Sequence, residues 1–510
     1  MTSSGGRCSG RLRPIASTLC LAGTGALMLM TAAGVALASS TPSRTPTTSS
    51  CAGSHWVGAW EAAPSDGSAA SEVLGAGDRK RPVDHQTMRV TLTPTYGGSA
   101  LRIHLSNRFG TRPVTFTHVT VGRQLSGASL AATPVSLTFN GKRSVTVPSG
   151  RDVVSDPARL SFSAMQTLEV SVYVAGDAGP PTAHQTGLQS TYYTPEGAGD
   201  RTANIGARAF MLQNGIRPYV DGLDVLAPMR VGAVIAFGDS ITDGYQSAAS
   251  AGVRAGAGGF DRNQRWPDYL ARRLIAAHIP LAVLNAGITG NRVLKNGAVH
   301  GGPGVFGPAA LRRLKHDVLD QAAGTTVIWL EGINDIAKSP TATAAEIEAG
   351  YVKGIAAMHA VGLKVLQATL TPAGRDPDAR YGGAAANAER ERINRWILTK
   401  SPANGVVNLS AAVEDRSHPS EMAPIYSARD GLHPNSAGYQ AMANAINLSA
   451  LRLAPCAQAP LRSASLPAPG QIDRAAERSS SPAEGWSWSS QTRTGEDRFR
   501  NWYGHGPWGE

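Results

Sequence analysis

From about residue 231 the chain alternates five times between a short apolar run and a longer stretch with helical spacing. This alternation limits the fold more than any other feature. The apolar runs cover 231–237, 281–285, 326–330, 364–370 and 405–409. Between and after them lie helical stretches: one with Trp266, Tyr269, Leu270, Leu274 and Ile275, then 309–321, 344–360, 385–399 and 437–448. Strand and helix alternating in this way predict a parallel sheet covered on both faces. Sheets of this kind bind ligands beyond the C-terminal ends of their strands. A serine or asparagine just past a strand end is therefore where chemistry is expected.

Upstream the period changes to two. Leu101, Ile103 and Leu105 alternate with Arg102, His104 and Ser106, and Leu168, Val170, Val172 and Val174 alternate with Glu169, Ser171 and Tyr173. Asn140-Gly141 lies between apolar segments at 135–139 and 142–147. That dipeptide accepts positive φ at both central positions of a tight turn and predicts a hairpin. Several short strands with turn signals predict a β-sandwich over 51–228, ahead of an α/β domain over 229–457.

The two ends read differently. Arg7, Arg11 and Arg13 precede an apolar stretch over 15–37, and Ala36-Leu37-Ala38 has the small-residue form of a cleavage site. The stretch is rich in Ala, Gly and Thr rather than Leu and Ile, which favours a secretory signal over 1–38 rather than a membrane anchor. Residues 39–50 form a Ser/Thr/Pro linker, and 458–510 read as a disordered tail whose Trp486, Trp488, Trp502 and Trp508 carry no assigned function. Removal of the three arginines leaves about +8 of the formal +11 charge. No Lys/Arg run is dense enough for a nucleic-acid site, and no later segment is apolar for long enough to span a bilayer. Cys8 and Cys20 leave with the signal. Cys51 and Cys456 remain, an even pair bracketing the fold. Outside the cell a disulfide is the simple expectation, with two structural thiols as the alternative.

Four short segments carry chemistry. Ser240, in Phe237-Gly238-Asp239-Ser240-Ile241-Thr242-Asp243-Gly244, follows an apolar strand and opens a glycine-containing loop. The pattern is not G-x-S-x-G, because Thr occupies position 242. Asp430-Gly431-Leu432-His433-Pro434 supplies a histidine with a carboxylate three residues before it. A serine hydroxyl needs such an imidazole to take its proton, and the imidazole needs a partner to orient it. Asn334, in Gly332-Ile333-Asn334-Asp335, follows another strand, where its amide can donate to a developing oxyanion. Asn285 to Asn291 follows a third strand and contains Gly290, whose backbone N–H can approach a substrate closely.

In this order the four segments resemble the blocks of the GDSL/SGNH hydrolase superfamily over roughly 231–448. Trp56-Val57-Gly58-Ala59-Trp60, the run from Leu101 to Gly110, and Arg265-Trp266-Pro267-Asp268 are similar to its secreted bacterial members with an N-terminal β-domain. The resemblance implies a flavodoxin-like three-layer α/β domain preceded by a β-sandwich, and hydrolysis of carboxylic esters through an acyl-enzyme. It implies Ser240 as nucleophile, His433 as base and Asp430 as its partner. Ser240, Gly290 and Asn334 would hold the oxyanion, with Asp239 and Asp243 in support. It implies no metal and no cofactor, and His85, His104, His118 and His184 show no metal-ligand spacing. The expected substrate is a polysaccharide or small-molecule ester: an O-acetyl or short acyl ester of extracellular carbohydrate, or a small lipid ester. A lipase or phospholipase for longer chains, and a polysaccharide-binding protein with a vestigial hydrolase domain, are the alternatives.

Overall fold

The computed structural model describes residues 51–67, 83–248, 260–299, 302–303, 306–338 and 341–458. The expected signal, linker and tail fall outside them, apart from residue 458. In chain order the antiparallel strands are β1 (Ser54–Glu61), β2 (Gln86–Leu92), β3 (Gly98–Ser106), β4 (Val114–Ser126), β5 (Asp152–Val154), β6 (Ala158–Phe162), β7 (Leu168–Val174), β8 (Thr191–Tyr193), β9 (Leu212–Asn214) and β10 (Val220–Pro228). One sheet runs β1-β10-β3-β6, with β5 also on β3. The other runs β9-β8-β2-β7-β4. In β3 the alternation read in the sequence is an alternation of burial: Leu101, Ile103 and Leu105 are fully buried, while Arg102 and His104 are half-buried. In β7 it is not: Glu169 and Ser171 are buried as well, bonded to Thr91 and Arg89 of the neighbouring strand.

The Asn140-Gly141 turn forms with both φ positive, 51° and 76°, and Phe139 and Lys142 exchange both backbone hydrogen bonds across it. The expected hairpin stops at that one bridge. Val135–Ser136 and Val145–Val147 each pair instead with the long strand β4. The turn is a local property, but its flanks find more partners on a 13-residue strand than on each other.

Then come the parallel strands β11 (Gly232–Gly238), β12 (Leu281–Gly287), β13 (Gly324–Leu330), β14 (Lys364–Ala368) and β15 (Gly405–Val407). Their order is β12-β11-β13-β14-β15, the flavodoxin-like arrangement, whose ligand site lies at the strand ends beside the first strand. Val234, Ile235, Ala236 and Phe237 are all fully buried, so both faces of β11 are covered. The helices used below are α1 (Ser240–Asp243), α2 (Trp266–Ala276), α3 (Ala310–Leu314), α4 (Ile333–Ala337), α5 (Ala344–Ala360), α6 (Ala384–Lys400) and α7 (Ser436–Ala445); Ala379–Gly382 and Leu409–Val413 form two short helical turns besides. Trp266 is fully buried, in the core. The expected helix over 309–321 changes character at residue 315: α3 continues as a π-helical turn, Lys315–Leu319. Among the described residues, no helix is long and apolar enough to cross a membrane.

The antiparallel and parallel parts share one apolar core. β1 lies against β12: Gly58 N–H donates to Ala322 O at 3.0 Å, and Thr95 Oγ exchanges hydrogen bonds with the backbone of Val283. Cys51 and Cys456 are joined by a disulfide, 405 residues apart in sequence.

Candidate active site

Ser240 is the first residue of α1, separated from the end of β11 by Asp239 alone. Asp239 caps that helix, accepting from Ile241 N–H at 3.0 Å. The strand-to-helix switch leaves the Ser240 hydroxyl at the C-terminal edge of the sheet. Its Oγ lies 2.9 Å from His433 Nε2, and His433 Nδ1 lies 2.8 Å from Asp430 Oδ2. With the proton on Nδ1 the ring donates to Asp430, and Nε2 accepts from the serine O–H.

The Asp430–His433 pair is built by a local turn. Asp430 Oδ1 accepts from the backbone N–H groups of Leu432 and His433, at 3.1 and 3.0 Å, while Gly431 takes the positive φ that the turn requires. One carboxylate oxygen therefore holds the loop and the other holds the ring. Burial works to raise the Asp430 carboxyl, but the charge on His433 and these hydrogen bonds outweigh it and hold the group below the ordinary carboxylate range. The Tyr245 ring meets the His433 ring edge-on at 4.7 Å.

The loop after β12 carries Gly290 at φ 77°. A Cβ there would sit 2.4 Å from the Phe306 ring and 2.7 Å from Lys338 Nζ, so conformation and space both require glycine. Two carboxylates hold this loop. Asp243 Oδ2 accepts from Thr289 N–H and Oγ at 3.0 and 2.7 Å. Asp335 accepts from Val293 N–H and Leu294 N–H at 2.8 and 3.0 Å. Asn334, in α4 after β13, donates from Nδ2 to Asn291 O at 3.0 Å and accepts on Oδ1 from Tyr381 O–H at 2.9 Å. Its amide is thereby fixed at both ends, and one of its two N–H bonds is left for another acceptor.

Five contributors to this geometry carried no local signal or went unassigned in the sequence. Tyr381, Arg313 and Lys338 lie in segments with no motif. Asp335 stands beside Asn334 without an assigned role. His184 shows no metal-ligand spacing and no other local signal. His184 reaches from the antiparallel part to Asp243 Oδ1 at 3.0 Å, with its other nitrogen on Ala63 O at 2.9 Å. His85, His104 and His118 are likewise engaged with Asp84, Asp224 and Asp200. Arg313, buried, donates to Gly238 O, Ala286 O and Asn291 Oδ1 and so ties the ends of β11 and β12 together. Lys338 Nζ lies 3.2 Å from Gly290 O and 3.7 Å from the centre of the Phe306 ring. Burial, then the nearby charge of Arg292, pushes this lysine down to about 7. Burial likewise pushes Asp239 up to about 7 and Glu331 up to about 8.

Residues 236–441 match the profile of the GDSL-like lipase/acylhydrolase family. Solved structures similar to the chain include a GDSL-like lipase from Bacteroides thetaiotaomicron, 21% identical, covering 43% of this chain and 87% of that one at a TM-score of 0.31. An acetyl xylan esterase is 21% identical over 42% of this chain and 96% of its own, at a TM-score of 0.31. The M. smegmatis aryl esterase is 17% identical over 42% and 96%, at 0.32. No curated protein matches the chain.

Proposed function

We propose that this chain, a carboxylic ester hydrolase carrying a domain of the GDSL-like lipase/acylhydrolase family, is a secreted serine esterase for O-acetyl and short acyl esters of extracellular carbohydrate or small lipids. The observation that carries the serine mechanism is the 2.9 Å contact between Ser240 Oγ and His433 Nε2, with Asp430 behind the ring.

In this reading Ser240 Oγ attacks the ester carbonyl while His433 takes its proton. Asp430 keeps the ring in the tautomer that can accept, and it steadies the imidazolium that forms. The carbonyl oxygen becomes negative as the tetrahedral intermediate forms. The N–H groups of Ser240 and Gly290 and the second N–H of Asn334 Nδ2 receive it. His433 returns its proton to the leaving alcohol. Water, deprotonated by the same histidine, then releases the acid. The same triad and oxyanion donors thus serve both halves of the reaction.

One feature supports the secreted reading. The Cys51–Cys456 disulfide fits an oxidising compartment. The test is turnover of p-nitrophenyl esters from acetate to palmitate, together with acetate release from acetylated xylan. The reading expects kcat/KM to peak at the shortest acyl groups and acetate to be released. A maximum at eight carbons or more would make the protein a lipase instead.

A further inference from the structure

A second group of chemically active side chains lies where the antiparallel part meets the parallel sheet. Asp152 stands on β5, Asp221 on β10, and His316 on the π-helical turn that continues α3. His316 Nε2 is 3.5 Å from Asp152 Oδ2 and 3.6 Å from Asp221 Oδ2. The three donor atoms all lie within 4.8 Å of one another. Those separations are long for hydrogen bonds. They are close to the edge of about 3.4 Å that a tetrahedron of donors has around an ion bonded at about 2.1 Å.

Three further observations point to an ion. Asp221 is more than nine-tenths buried, and its Oδ1 has no hydrogen-bond partner among the described residues. A buried carboxylate oxygen with no hydrogen bond costs stability unless a cation stands near the group; His316, 3.6 Å from Oδ2, serves if protonated, and a bound ion serves if it is not. Glu61, equally buried, has Oε2 in the same condition, and it is near enough to feel the charges of Asp317, His316 and Asp221. Lastly, His316 is already oriented as a ligand. Its Nδ1 is held by Asp317 Oδ1 at 2.6 Å, and Asp317 Oδ2 is held by Arg313 at 2.9 Å. A carboxylate behind the far nitrogen is the arrangement that fixes metal-binding histidines. His316 lies on the π-helical turn and faces Asp152 and Asp221, while its neighbour Asp317 pairs with Arg313 one turn back. Asp152 Oδ2 also accepts from Arg108 at 3.0 Å, and its second lone pair leaves room for an ion.

We propose that Asp152, Asp221 and His316 form a zinc site that pins the antiparallel part to the parallel sheet. One imidazole nitrogen with two carboxylate oxygens favours zinc over calcium or magnesium, which take oxygen donors. Asp152, at the surface, leaves a fourth position open to water. None of its three donors is among the groups proposed for ester hydrolysis; the two are linked through Arg313, which holds Asp317 behind His316.

The test uses tag-free protein stripped with EDTA and titrated with zinc chloride, by calorimetry and elemental analysis. The expected result is one zinc per chain, with affinity lost in His316→Gln and Asp152→Asn. Asp317→Asn keeps all three donors and should weaken binding about 10–100-fold. Asp152→Asn is a near-isosteric change at the surface, so it decides the matter if the His316 variant does not fold. Ester turnover at saturating substrate should be the same with and without zinc. No binding below millimolar zinc, or equal binding by folded Asp152→Asn protein, overturns the proposal and leaves the cluster with a protonated imidazole only. Displacement of zinc by equimolar calcium overturns the choice of metal.

Discussion

Asn334→Ala separates the proposed oxyanion role from a role in holding the fold. The substitution removes three things at once: the hydrogen bond to Asn291 O at 3.0 Å, the acceptor for Tyr381 O–H at 2.9 Å, and the second N–H of Nδ2. The first two are ground-state contacts. Each leaves a buried partner unsatisfied at about 1–3 kcal/mol, so stability should fall by roughly 2–6 kcal/mol. The third acts only when charge develops on the substrate oxygen, and losing one such donor costs about 10²–10³ in kcat, with KM little changed. Tyr381→Phe is the control. It removes the hydroxyl that holds Asn334 Oδ1 but leaves both N–H bonds, so it should cost about 1 kcal/mol of stability and less than about tenfold in kcat. Urea unfolding and steady-state kinetics on the same preparations read both quantities. If folded Asn334→Ala protein keeps kcat within about threefold of wild type, the oxyanion role is wrong and the residue only fastens Asn291 to Tyr381.

His184→Ala removes a brace that reaches Asp243 from the antiparallel part; with Thr289 still holding Asp243, kcat should drop about tenfold with the fold intact, and an unchanged kcat would show that the brace does not reach the site. Asp239 is raised to about 7 by burial, so its contribution to stability is complete below the ordinary aspartate range and is lost as pH rises through 7. Asp239→Asn keeps a capping oxygen and should remove that decline; parallel stability–pH curves for the two proteins between pH 4 and 8 would refute the assignment. Opening the Cys51–Cys456 bridge with Cys51→Ser should lower stability by up to about 6 kcal/mol in the chain-entropy account, given the 405-residue separation; peptide mapping that finds both thiols free in the wild type would refute the pairing.

The parts of this molecule that were legible in the sequence are those encoded locally. Helix α5 begins and ends where its spacing places it, because Thr343 and Glu346 form a capping box at its start. The Ser240, Asn334 and Asp430–His433 segments could be located because each is a short motif at the end of a strand or in a turn. Strand β15 stops two residues short of its apolar run, since Asn408 caps the next turn and draws Leu409 into it. The change to a π-helical turn at Lys315 leaves apolar spacing unaltered, so periodicity could not show it. What escaped the sequence depends on long-range contacts. Tyr381 meets Asn334 across 47 residues, and His184 meets Asp243 across 59. Neither pair has a local pattern. The same holds for Asp152, Asp221 and His316, which three separate elements bring together.

The central claim is that Ser240 is the atom donor in catalysis, and the most direct measurement is turnover of p-nitrophenyl acetate by Ser240→Ala protein of verified fold. Removing the proposed nucleophile, 2.9 Å from its proposed base, should lower kcat by at least about 10⁴-fold, leaving only what the proposed oxyanion donors and binding would supply. A folded Ser240→Ala protein that keeps more than about a tenth of wild-type kcat would contradict the account.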